Sequence, residues 1–275
     1  MENPSNLISN SEILRAYDRE KRAATQIPGM RRESLPNLVR HVDLLGHRGM
    51  ITWSHLNAAT AEQVIRQQVE FYSGLNQPFE WKVFDTDQPV NLKERLRAFG
   101  FTEEPEESLM VLPIGNGEHH VKLSAKHEVR CGNDVSLLPD LLRVQETAYG
   151  ESAGWLGDSI AHTLRAAPET LTLYVAYHKD RPVASARIDF EPGSQFAGLW
   201  GGVVLPEFRG QGFYLSLLAA RIEEAAARCC KFVTIDAGPM SRPIVERRGF
   251  RQIATAQAFL HGPYSSEKVR PQRGL

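Results

Sequence analysis

Residues 199–228 read LWGGVVLPEFRGQGFYLSLLAARIEEAAAR. The stretch has three physical parts. The apolar run ending at Leu205 reads as a buried strand. Pro206-Glu207-Phe208 leads away from it. Arg209-Gly210-Gln211-Gly212 then opens a long helix, expected over 212–230. The first N–H groups of such a helix have no intrahelical acceptors and lie at the positive end of its dipole, so they can receive an anion. Glycine keeps side chains out of that approach, and Arg209 adds a fixed positive charge. The segment Arg209-Gly210-Gln211-Gly212-Phe213-Tyr214 is therefore expected to hold a diphosphate.

Other readings of these glycines compete. They serve equally well to make a plain tight turn. The P-loop string GxxxxGK[ST] does not occur. A dinucleotide turn, GxGxxG, would need glycine where Leu215 stands, although Asp236 could fill its acidic position. That turn follows its strand directly, whereas three residues intervene here.

Working outward, 171–177 (LTLYVAY) and 183–190 read as a hairpin around the turn 178–182. Residues 231–235 (KFVTI) read as a buried strand, 241–248 as a short helix ended by Gly249, and 253–260 as a closing strand. Residues 137–147 read as a helix. Upstream, 41–46 and 50–56 read as strands, 58–72 as a helix, 79–84 (FEWKVF) as a strand, 91–99 as a short helix ended by Gly100, and 109–114 as a strand. Residues 1–32 are polar with one short helical pattern, and 115–120 (GNGEHH) looks like a linker. FEWKVFD, a short helix and Gly100-Phe101 echo KFVTID, a short helix and Gly249-Phe250. The echo suggests two copies of one α/β unit, although two unrelated domains could share that order. The first copy has no glycine turn.

The 275 residues suffice for one large or two ordinary domains. Hydrophobic residues at 42% permit a real core, and a net charge of −1 gives no global pull toward nucleic acid or acidic membrane. The three cysteines, Cys131, Cys229 and Cys230, form no CxxC, so neither a disulfide framework nor a metal site is expected. No signal peptide is visible, and no apolar run approaches the about 20 residues that span a bilayer. A cytoplasmic protein follows as an expectation.

The motif resembles that of the GNAT superfamily of N-acetyltransferases, V-x-P-x-x-R/Q-G-x-G-x-G/A between a strand and a long helix. This chain has Val204, Pro206, Arg209, Gly210 and Gly212 in place, but Tyr214 where a small residue is usual. The strand, short helix and Gly249-Phe250 that follow also fit, so the resemblance covers about 129–260. It implies an α/β fold with a mixed sheet, the GNAT-like acyl-CoA N-acyltransferase fold, here in two tandem copies. A degenerate copy would occupy 1–125 and an acetyltransferase domain 126–275.

The resemblance further implies acetyl-CoA as cofactor, with Gly202, Val203 and Val204 pairing its pantetheine arm and Arg209 to Tyr214 its pyrophosphate. An acceptor amine would attack the thioester directly. The partner is then a small-molecule or peptide amine, with no nucleic acid or membrane; a homodimer is compatible. The tyrosine that family members use as acid is replaced by Val245, and their asparagine by Met240. Ser241, also a candidate helix cap, and Tyr214 are the substitutes at hand. Asp189 is a candidate base, unless it is a solvated strand-end carboxylate. Glu146, Tyr149 and Trp155 are candidates for the acceptor pocket, with Glu151 and Trp200, and His162 could serve as base by its ordinary pKa; each has a plain structural role as alternative. Arg221, Glu223, Glu224 and Arg228 are expected on the solvated face of the long helix, and Glu103, Glu104, Glu106 and Glu107 in an exposed turn. An acyl-CoA-binding sensor without turnover is the alternative function.

Overall fold

The computed structural model describes residues 8–114 and 126–262. The expected linker at 115–120 and the 125/126 boundary fall at the edge of or outside that range.

The first half runs α1 (Asn10–Tyr17), a π-helical extension (Asp18–Ala23), β1 (Met30–Leu35), β2 (Leu38–Asp43), β3 (Gly49–Ser54), α2 (Ala61–Gly74), β4 (Phe79–Phe84), α3 (Leu92–Ala98), β5 (Thr102–Glu103) and β6 (Glu107–Pro113). The second runs β7 (Val129–Gly132), α4 (Leu138–Tyr149), α5 (Gly154–Ala166), β8 (Leu171–His178), β9 (Arg181–Phe190), β10 (Phe196–Val204), α6 (Phe213–Ala227), β11 (Phe232–Ala237), α7 (Arg242–Glu246) and β12 (Arg251–His261).

The twelve strands of the described residues form one sheet, ordered β1-β2-β3-β4-β12-β6-β11-β10-β9-β8-β7, with β5 paired to β12. The two halves exchange strands at its centre. β12, from the second half, pairs with β4 of the first, and β6, from the first, pairs with β11 of the second. β6 and β12 also pair with each other.

The sequence echo is a structural repeat. β3-α2-β4-α3 and β10-α6-β11-α7 have the same order, and β3/β4 and β10/β11 are the parallel pairs. Gly100 (φ 83°) and Gly249 (φ 88°) both turn left-handed at the end of the short helix. The N–H of Phe101 then returns to Leu96 O, and that of Phe250 to Val245 O, each at 3.2 Å. These are the backbone bond and apolar pair of a glycine-ended helix.

Helices cover both faces. α2 and α3 pack Ile65, Tyr72 and Leu96 on Trp81 and Phe259. α6 packs Leu217, Leu218 and Ile222 on Tyr174, Ala186, Leu199 and Val233. α4 and α5 cover the other face of the β8 region, with Leu141 and Ile160 on Leu171, Leu173 and Val175. α1 sets Ile13 and Tyr17 on Leu109, Val111, Phe196 and Phe232 at the sheet's centre.

Two expectations are corrected. Arg221 is not solvated but fully buried. It stands at i+3 and i+4 from Leu218 and Leu217 and i+7 from Tyr214, on the stripe of α6 that faces the sheet. Glu224 is half-buried and accepts from Thr172 Oγ1 at 2.8 Å and from the Tyr174 hydroxyl, while it pairs with Arg228. Glu107 is likewise no turn residue: it begins β6 and meets Lys82 at 3.0 Å.

Candidate functional site: the parting of two parallel strands

β10 and β11 pair only from Phe196/Phe232 to Leu199/Ile235. β10 continues to Val204 and β11 to Ala237, so the strands part and each keeps an unshared backbone edge. At the same level β10 carries an irregularity against β9, between Trp200 and Val203, where Gly201 adopts φ 56°. Gln145 of α4 fixes it, its Nε2 donating to Gly201 O at 2.8 Å and to Ser185 Oγ at 3.1 Å. Sequence reasoning did not find this glutamine, which sits on the buried face of its helix.

The strand then leads through a 3-10 turn, Pro206–Phe208, to the glycines. Gly210 (φ 75°) and Gly212 (φ 97°) both need the left-handed backbone that glycine adopts freely. Gly212 caps α6 without a side-chain hydrogen bond, so the first N–H groups of the helix face outward unclaimed by a cap. A Cβ added to Gly210 would meet nothing within 4 Å. The turn is therefore an open, amide-lined cradle at the mouth of the parting. Gln211 Nε2 donates to Glu207 O at 3.0 Å and His127 Nε2 lies 2.8 Å from Gln211 O, which brace it from both sides. His127 also stacks on Phe213, with centroids 3.7 Å apart. Nothing in the local sequence points to His127, which lies far upstream. Arg209 is exposed, and its Nε donates to Val204 O at 3.3 Å, so one backbone acceptor of the strand is already engaged.

Gly202, Val203 and Val204 are all buried on β10. A Cβ at Gly202 would lie 3.2 Å from the Tyr214 ring and 3.5 Å from Arg221 Nη2. The Tyr214 hydroxyl is buried without a hydrogen-bond partner among the described residues, and burial raises its pKa. Arg221 donates from Nε to Leu217 O at 3.0 Å and from Nη1 to Arg187 O at 3.4 Å, while Nη2 has no partner there. Burial lowers its pKa.

The other sequence candidates are dispersed. Asp189 lies on β9, two residues from Arg187; burial raises its pKa, against the Coulombic pull of Arg187 and Lys21. Ser241 is fully buried ahead of α7; its hydroxyl donates back to Gly238 O at 3.3 Å and does not cap the helix. Val245 is fully buried in the core beneath α6. Glu146 accepts from the Ala153 N–H at 3.0 Å and so ties α4 to α5. Tyr149 is half-buried at the end of α4. Trp155 packs among α5 residues with the Arg48 guanidinium 5.4 Å from its ring. His162 faces Gly29.

In the first copy the corresponding parting is filled. Trp81 Nε1 donates to Ser54 Oγ at 3.1 Å, and the Leu56 N–H to Gln88 O at 3.1 Å.

Residues 138–250 match the model of the Acetyltransferase (GNAT) family. The likeness to that family covers this span, less than half of the chain. The matched span runs from α4 to the Gly249-Phe250 pair and includes the turn described above. The whole chain resembles a GCN5-related N-acetyltransferase from Kribbella flavida at TM-score 0.64 and 15% identity, covering 93% of this chain and 95% of that one. It also resembles a tandem GNAT protein from the clavulanic acid biosynthesis pathway at TM-score 0.58 and 14% identity, covering 92% and 88%. A functionally unknown protein from Staphylococcus epidermidis is similar at TM-score 0.64 and 16% identity, covering 88% and 97%. At these identities the likeness is one of fold: a GNAT fold in two tandem copies. No curated protein matches the sequence. Among the described residues no helix is long and apolar enough to cross a membrane, and no group of three or more His, Cys, Asp or Glu is placed to hold a metal ion.

Proposed function

We propose that this protein transfers an acetyl group from acetyl-CoA to an amine. The observation that carries the reading is the open amide cradle at Gly210 and Gly212, set where β10 and β11 part. A diphosphate fits the unclaimed N–H groups at the start of α6, with Arg209 alongside. The backbone edge of Gly202, Val203 and Val204 that β11 does not share fits the amides of a pantetheine arm. The bound cofactor supplies an activated thioester. Backbone N–H groups near the irregularity at Gly201 are the donors available to a developing oxyanion, and Gln145 holds that backbone in place. Enclosing both reactants in one cleft contributes by orientation.

A second reading, a sensor of acyl-CoA without turnover, is favoured by Val245. The position where the family places an acid is a buried apolar side chain here.

Calorimetric titration with acetyl-CoA tests the common part: absence of binding at millimolar cofactor overturns both readings. Thiol release measured over a panel of polyamines, amino acids, peptides and aminoglycosides separates them. Tight binding with no amine-dependent release would favour the sensor.

A further inference from the structure

Asp236 is the first β11 residue beyond the parting. Its neighbour Ile235 turns into the core beneath α6, so Asp236 turns to the opposite face, that of α1. The side chain is 6% exposed. Its Oδ2 lies 3.1 Å from Lys82 Nζ, and its Oδ1 is buried with no hydrogen-bond partner among the described residues.

Lys82 belongs to β4, in the first half of the chain. β12 and β6 lie between β4 and β11. β12 presents Ala256 and Ala258 on the Lys82 face, short enough for the lysine to reach across. The same ammonium lies 3.0 Å from Glu107 Oε2. Burial alone would lower the Lys82 pKa, but the Coulombic pull of Asp236 and Glu107 holds it above its ordinary value. Burial pushes the Glu107 carboxyl up, and repulsion from Asp236 adds to this against the pull of Lys82. Two carboxylates thus share one cation in a buried setting. A bare buried carboxylate oxygen is costly unless something arrives to pair with it.

The first half also walls this face. Arg48 pairs with Glu80 at 3.1 Å and lies over Trp155 of α5, and His47 lies 3.5 Å from Asp158.

We propose that Asp236, fixed by Lys82, anchors the ammonium group of the acceptor, so that the acceptor site is built from both copies of the fold. The proposal rests on the transferase reading and names the class of acceptor: a cationic amine with N–H groups to donate. Quaternary, neutral and anionic compounds lack the charge or the donors. Lys82 is a positioning residue, because it holds Oδ2 and leaves Oδ1 without a partner among the described residues.

The test uses the full chain with carboxyl-labelled aspartate, titrated with n-butylammonium chloride and followed by carbon NMR. The Asp236 signal is the one lost in Asp236→Asn; if that variant does not fold, it is the one displaced in Lys82→Gln. A saturable shift with butylammonium, and none with tetramethylammonium at equal ionic strength, is expected. A signal unmoved by butylammonium, or moved equally by both salts, overturns the proposal. Acetyl-CoA calorimetry on the same sample keeps the two ideas apart. An unmoved signal with intact cofactor binding sinks the anchor alone; failed cofactor binding with a shifted signal sinks the transferase reading and the acceptor role with it, and leaves only an ammonium site at Asp236.

Discussion

The Nε2 atom of His127 lies 2.8 Å from the carbonyl oxygen of Gln211, and the same ring stacks on Phe213. The imidazole thereby clamps the cradle against the first residue of α6. His127→Ala removes one hydrogen bond and one stacked face, which together cost about 1–2 kcal/mol at the turn. Acetyl-CoA affinity should fall roughly tenfold by calorimetry, with the melting temperature little changed, since the ring is only half-buried.

Gly210 and Gly212 should respond differently to substitution. Gly210→Ala meets open space, so its cost is the left-handed backbone alone, about 1–2 kcal/mol. Gly212→Val places a β-branched residue at φ 97° on the helix cap, a conformation it does not tolerate. The first variant should weaken acetyl-CoA binding measurably, and the second should abolish it. Circular dichroism should show both folded.

Stability should fall on mild acidification. Burial lowers the pKa of His41 and of His261 below the ordinary value of 6.5. His41 Nε2 lies 3.1 Å from Thr25 O, as a donor would, while its Nδ1 is buried without a partner. Protonating Nδ1 would bury a charge with nowhere to donate. The unfolded chain takes up the proton near pH 6.5 and the folded chain resists it. The stabilisation is therefore fully present above that value and is lost as pH falls from it through the lowered folded value. Urea midpoints measured between pH about 7.5 and about 5.5 should decline, and His41→Gln should reduce the slope.

Neither half should fold by itself. Without β12, β4 loses its partner on one side; without β6, β11 loses its own. Fragments 1–125 and 126–275 expressed separately should lack cooperative urea transitions. Mixed or co-expressed, they should associate into one species in size-exclusion chromatography with the far-ultraviolet spectrum of the intact chain. A cooperative transition from either fragment would contradict the exchange.

Periodicity made much of this architecture readable. The hairpin of β8 and β9, the strand β4 and the helix α6 stand where the apolar runs and their bounding turns placed them, because these strands are covered on both faces. β1 escaped notice because MRRESL has its apolar residues only at the ends. α5 escaped because it begins Gly-Trp after a polar stretch, without a capping residue. Arg221 was misplaced because its charge outweighed its position, although its spacing from Leu217 and Leu218 marks the buried stripe. The pairing of Lys82 with Asp236 depends on strands exchanged across more than a hundred residues, and no local pattern carries such information.

The parting of β10 and β11 leaves the sheet unfinished between two parallel strands. Between the two parallel edges stand unshared amides and carbonyls, apart from Val204 O, which Arg209 holds, much as a seam stands ready for its last stitch. Whatever molecule lies there with its own amides aligned acts as a strand supplied from outside, and binding completes the sheet. The amide hydrogens between Trp200 and Val204 that do not pair with β9 should then exchange faster in the free protein than in the occupied one. Occupancy would be registered by the backbone itself, before any side chain takes part.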